Sequence, residues 1–193
     1  MKYTKKVSIL LIAVISILTF SGCSKKNKPS KAIEEDGIYG SWAYIHDKET
    51  EVAVFYKDGT AKYENKDYDF KCDNEFISLT DKNGDTQKMR YTLDDEGMYL
   101  YINTTYLYDG DGKPDGLVGV WSCKEKNWSF EFTDKGTFKE DGYFPGIYTV
   151  DEDKSTFKLA YTDHFEDTEC YYSIDNDQLS IEYPWRMVRT VRK

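Results

Sequence analysis

The chain repeats itself, and that repeat limits its fold more than any other feature. From Asp36 it reads DGIYGSWAYIHDKETEVAVFYKDGTAKY, and from Asp115 it reads DGLVGVWSCKEKNWSFEFTDKGTFKE. Trp42 aligns with Trp121, 79 residues on, and FYKDGT aligns with FTDKGT. Further along, MRYTLDDEGMYLYI matches CYYSIDNDQLSIEY. Three matches in one order mark a duplication rather than chance. The chain therefore divides into a first repeat (36–110), a short linker (111–116) and a second repeat (117–193). A unit this small buries only about 60% of the surface its unfolded chain exposes. The two copies are accordingly expected to pack on each other or to share one sheet.

Each copy reads as strands and tight turns. In EVAVFYKDGTAKY, Val52, Val54 and Tyr56 alternate with Ala53, Phe55 and Lys57 before an Asp58-Gly59 turn of the hairpin kind. The second copy turns in the same way at Lys135-Gly136. STFKLAYT, ECYYSIDNDQLSIEY and RMVRTVRK continue the alternation between Asp, Asn and Gly punctuation. No stretch after the N-terminal segment holds apolar residues at helical spacing over three turns. The expectation is an all-β fold of two tandem antiparallel up-and-down meanders or small barrels, with about eight short strands per copy.

A signal and a tether precede the repeats. Lys2, Lys5 and Lys6 are followed by an uncharged, largely apolar run from Val7 to Phe20. That run is shorter than the roughly 20 residues a membrane-spanning helix needs, and its flanks match a secretory signal. FSGC, residues 20–23, resembles a bacterial lipobox, with Phe20 where that family usually has Leu. The resemblance implies cleavage of residues 1–22, lipidation of Cys23, and attachment to the extracytoplasmic face of a cell membrane. Residues 23–35, including SKKNKPSK, then form a flexible polar tether. Three of the 26 basic side chains leave with the signal, so 23 face 35 acidic ones, a net charge of −12. That balance argues against nucleic acid as a partner.

GSW and GVW near the start of each copy, a hairpin turning at DGT or KGT, and a meander ending in Arg189 resemble small bacterial lipocalin-like domains. In that family the Trp of the opening strand packs at the closed end of a barrel, often covered by an Arg from a late strand. The resemblance implies that Trp121 and Arg189 form such a pair, a cation–π contact of about 0.5–2 kcal/mol. The first copy departs from the pattern, because its last strand, TTYLYDG, carries no Arg. Each copy is also shorter than a ligand-carrying lipocalin, which points to interiors filled by side chains.

The remaining candidates carry less chemistry. DGDGKPDG resembles part of the calcium loops of thrombospondin type-3 repeats, with Asp109, Asp111 and Asp115 on matching positions. The opening and closing positions of that pattern fall on Leu107 and Val118, which have no side-chain oxygen, so the stretch reads as a linker without metal. Cys72, Cys123 and Cys170 remain once Cys23 is lipidated. Parity turns Cys123 and Cys170 into the second core, which makes them the preferred disulfide, with three free thiols as the alternative. The two histidines, His46 and His164, are offset between the copies, and no P-loop, GxSxG, HExxH or GxGxxG occurs. Tyr99, Tyr101, Tyr106 and Tyr108, with Tyr171, Tyr172, Tyr183 and Trp185, supply either core or a ligand-stacking surface. Trp128, without a counterpart in the other copy, is the aromatic expected to face solvent. The functional expectation is a non-catalytic binding module for a small molecule, glycan or envelope protein, with no cofactor. A structural spacer or assembly subunit with no small ligand is the alternative and a hydrolytic enzyme the third; the sequence leaves the oligomeric state open.

Overall fold

The computed structural model describes residues 37–163 and 165–190; Cys23, the signal, the tether, His164, Arg192 and Lys193 lie outside them. The fold is all-β. The first copy supplies β1 (Gly40–Tyr44), β2 (Ala53–Phe55), β3 (Thr60–Tyr63), β4 (Lys66–Cys72), β5 (Phe76–Thr80), β6 (Thr86–Leu93) and β7 (Met98–Tyr108). The second supplies β8 (Gly119–Cys123), β9 (Trp128–Phe132), β10 (Thr137–Glu140), β11 (Phe144–Asp151), β12 (Thr156–Tyr161), β13 (Thr168–Asp175) and β14 (Gln178–Arg189). Turns at Asp58-Gly59 and Lys135-Gly136 close the β2–β3 and β9–β10 hairpins, as the repeat predicts. Among the described residues no helix is long and apolar enough to cross a membrane.

All fourteen strands belong to one closed antiparallel sheet that runs in sequence order and is pinched where β7 pairs with β14. These two strands, of 11 and 12 residues, pair over ten positions from Gln178↔Leu107 to Met187↔Met98. Their outer edges then change partner halfway along. β7 pairs with β6 near Met98–Leu100 but with β8 at Leu107–Tyr108. β14 pairs with β13 through Gln178–Glu182 but with β1 through Met187–Arg189. Each lobe thus has six strands of its own plus half of each long strand. This accounts for seven strands per copy where about eight were expected: one long strand serves both lobes.

The pairing follows the same register as the sequence repeat. Met89 aligns with Cys170, an offset of 81 residues, and the central pair Ile102↔Tyr183 is separated by the same 81. A pseudo-twofold axis therefore passes through that pair. Two filled cores lie on either side of it. One gathers Trp42, Phe55, Ile77, Leu79, Met98, Leu100 and Met187. The other gathers Trp121, Phe130, Phe132, Phe157, Leu159, Leu179 and Ile181. Met187, from the end of the second copy, lies in the first copy's core, and Tyr106, from the first copy, lies in the second.

The exchange also corrects the Trp–Arg assignment. Register places Arg189 opposite Trp42, and its guanidinium lies 4.3 Å from that ring's centroid, not over Trp121. It also donates to the carbonyls of Tyr39 and Gly37, the latter at 2.7 Å. Tyr108, equivalent to Arg189 at the same offset of 81, takes the corresponding place on Trp121, with ring centroids 5.1 Å apart. Each covering side chain passes over a glycine. Gly40 (φ +119°) lies under Arg189 and Gly119 (φ +133°) under Tyr108, and a Cβ at either would collide with the cover. Both indoles donate to the carbonyl four residues earlier at 2.8 Å, Trp42 to Ile38 and Trp121 to Leu117.

The predicted disulfide is likewise corrected. Cys123 and Cys170 carry free thiols, as does the exposed Cys72. Both of the former do pack on the second core, but they sit on β8 and β13, which the two long strands separate in the sheet.

Candidate functional site: an aromatic cleft between the lobes

The interiors of both lobes are closed by their own side chains, with Trp42, Trp121, Phe55, Phe130, Phe132 and Phe157 fully buried. One open space lies along the middle of the long-strand ribbon, beside the second lobe. The inner face of the long-strand ribbon carries Thr104, Tyr106, Ile181, Tyr183 and Trp185 at its middle, where Tyr106 and Ile181 belong to the second core and Tyr183 packs on it. Over this floor stand Trp128, at the start of β9, and Glu140 and Asp141, at the end of β10. They enclose a cleft of about 270 Å³.

The cleft is walled by rings. Trp185 lies 6.5 Å from Trp128 at an interplanar angle of 29°, and 6.1 Å from Tyr183. On the first lobe's side it meets Tyr44 at 5.5 Å and His46 at 6.3 Å. Trp128 is half-buried rather than freely exposed. The Lys126 ammonium sits 4.6 Å from the Trp128 centroid and donates to the Thr104 hydroxyl at 3.4 Å. Asp141 accepts from the Ser129 amide at 2.7 Å, which fixes the acidic end of the hairpin against the start of β9.

A second cavity, about 310 Å³, adjoins the first and shares Glu140 and Tyr183 with it. Phe144, Tyr161 and Phe165 form its apolar side, and Phe165 stands 5.2 Å from Phe144 and 5.5 Å from Tyr161. Between the two cavities the Tyr161 hydroxyl donates to Glu140 and lies 3.3 Å from the Tyr183 hydroxyl. Burial raises the Glu140 carboxyl above its usual range, with the Tyr161 hydrogen bond opposing and the adjacent Asp141 adding to the rise. Burial also pushes both tyrosine hydroxyls above their ordinary value, so each remains a neutral donor at physiological pH.

This polar centre is absent from the first copy. Glu140 ends the GTFKE segment where the first copy has Tyr63, ending GTAKY. Tyr63 is buried in the first core. Tyr183 replaces Ile102, and Trp185 replaces Thr104. The duplicated fold holds an unduplicated site. Glu140, Asp141, Thr104 and Lys126 were not singled out in the sequence, although Glu140 shares the inward parity of Phe138 and so is an acid on an apolar face.

The other expected residues are dispersed. Tyr101 and Tyr171 meet at 5.5 Å on the ribbon's outer face, and Tyr99 lies under the Arg186 guanidinium at 4.5 Å. A polar trough of about 590 Å³ also opens on that face. Its Arg90 is held by Glu75 and by Glu182 at 3.0 Å and covers Tyr171 at 3.8 Å, so this group clasps the lobes together. Asp109, Asp111 and Asp115 lie along the β7–β8 connection, where Asp115 bridges Val118. Among the described residues no three His, Cys, Asp or Glu side chains are grouped for a metal. Comparison with protein-family models, curated proteins and solved structures gives no match for this chain.

Proposed function

We propose that the protein is a lipid-anchored lipoprotein on the extracytoplasmic face of a cell membrane, acting as a non-catalytic binding module whose ligand enters the cleft between the lobes. One observation carries the binding reading. Two copies of one architecture differ at their junction by Trp128, Glu140, Tyr183 and Trp185, which converge on a ring-walled cleft that reaches the size of a small-ligand site together with the adjoining cavity. Repetition alone does not require that difference. The anchoring half rests on Lys2, Lys5 and Lys6, the apolar run to Phe20, and Cys23 after Gly22.

Two measurements test the reading. Cys23→Ala is expected to move the protein from the membrane fraction to the soluble exported fraction; retention at the membrane would contradict the anchor. Native mass spectrometry of residues 24–193 exported from a bacterial host is expected to show a non-covalent adduct that Trp185→Ala removes. A bare mass for both proteins would favour a structural spacer. That second reading draws its support from the lobe interiors, which their own aromatic side chains fill.

A further inference from the structure

We propose that the junction binds a neutral glycan, with one sugar ring against Trp128 and Trp185 and the next against Phe165, on either side of Glu140. The inference rests on the binding reading above and assigns its ligand class.

The charged groups weigh against the other classes, since Arg186, which also lines the second cavity, is already paired with Asp94 and Glu96. An anionic ligand would face Glu140 and Asp141, on a chain with 35 acidic side chains. A cationic ligand would meet the Lys126 ammonium, which already lies 4.6 Å from the Trp128 ring centroid. A purely apolar ligand would cover the second carboxylate oxygens of Glu140 and Asp141, whose first oxygens are held by Tyr161 and the Ser129 amide, without giving them partners. A neutral polyol avoids all three costs. Its C–H faces lie flat on indole and phenyl rings, and its hydroxyls both donate and accept.

The site supplies matching partners. Asp141 and Glu140 accept, Lys126 donates, and the tyrosine hydroxyls do either. Two cavities of about 270 and 310 Å³ share Glu140 and Tyr183, so a ligand of two linked rings would occupy both with its linkage displacing the Tyr161–Glu140 hydrogen bond between them. Phe165, held against Phe144 and Tyr161 but 55% exposed, presents its open side to the second ring.

The test is an array of neutral, anionic and amino-bearing glycans, probed with the full chain, followed by titration of the best mono- and disaccharide and of choline. Binding is expected for neutral glycans of two or more rings. Trp128→Ala should weaken both sugars by at least about tenfold, the effect of losing an aromatic anchor. Phe165→Ala, at an exposed position where the fold tolerates truncation, should weaken only the disaccharide. Unchanged thermal midpoints show that the variants remain folded. Trp128-dependent binding of choline, or of charged glycans in preference to neutral ones, would overturn the glycan assignment and leave the cleft a binding site. If no probe binds in a Trp128-dependent way, both the glycan assignment and the cleft as its site fail. Equal loss of mono- and disaccharide in Phe165→Ala would overturn the two-ring arrangement.

Discussion

At Glu140 a carboxyl group occupies the position where the first copy buries Tyr63, and its titration reports that exchange. Burial raises its pKa in the folded chain above the ordinary 4.5. Between those two values the folded chain holds a proton that the unfolded chain has released. This group's contribution to stability is therefore greatest at low pH and declines as pH rises through the window. Glu140→Gln keeps an oxygen for the Tyr161 hydroxyl and removes the titration. The variant is expected to lose that segment of the pH dependence of the thermal midpoint and to be more stable than the parent at neutral pH. Superimposable profiles would contradict the buried environment assigned to Glu140. This residue was hard to find in the sequence, because one acid among 35 carries little information. Only the comparison of GTFKE with GTAKY marks it. Trp128 was legible as the unpartnered aromatic, but its neighbours Trp185 and Tyr183 lie more than 50 positions away, and no local pattern joins them.

The elements divide in the same way. Hairpins were legible because Asp-Gly and Lys-Gly turns sit between alternating apolar residues, and β2–β3 and β9–β10 fold there. The partners of β7 and β14 were not. A barrel closed within one copy and a lobe closed by its neighbour's strand use the same inward residues in the same alternation. Strand length was the available cue. At 11 and 12 residues these strands are about twice the common length and can serve two lobes end to end. The misassigned Arg189 has the same origin: it lies at the end of the second copy, but β14 carries it to β1 of the first. The equivalence of Arg189 and Tyr108 shows that the two copies preserve the position of the cover while changing its chemistry. The cleft is positioned by the same strands, since its floor is the middle of their pairing.

For the molecule, strand exchange means that neither copy closes without the other. Met187 fills the first core and Tyr106 the second, so separating the copies would open both lobes and expose apolar surface on each. The two repeats thus form one closed sheet, with a cleft along the middle of its long-strand pair. The most direct test is to cut the connection. Asp111, Gly112 and Lys113 are exposed in the β7–β8 connection. A protease site inserted between Gly112 and Lys113 allows cleavage without touching either core. After cleavage, native mass spectrometry and size exclusion are expected to find both halves in a single particle of the uncut mass plus one water, parting only on denaturation. Two separately folded monomers would contradict the exchanged strands and, with them, the cleft that they build.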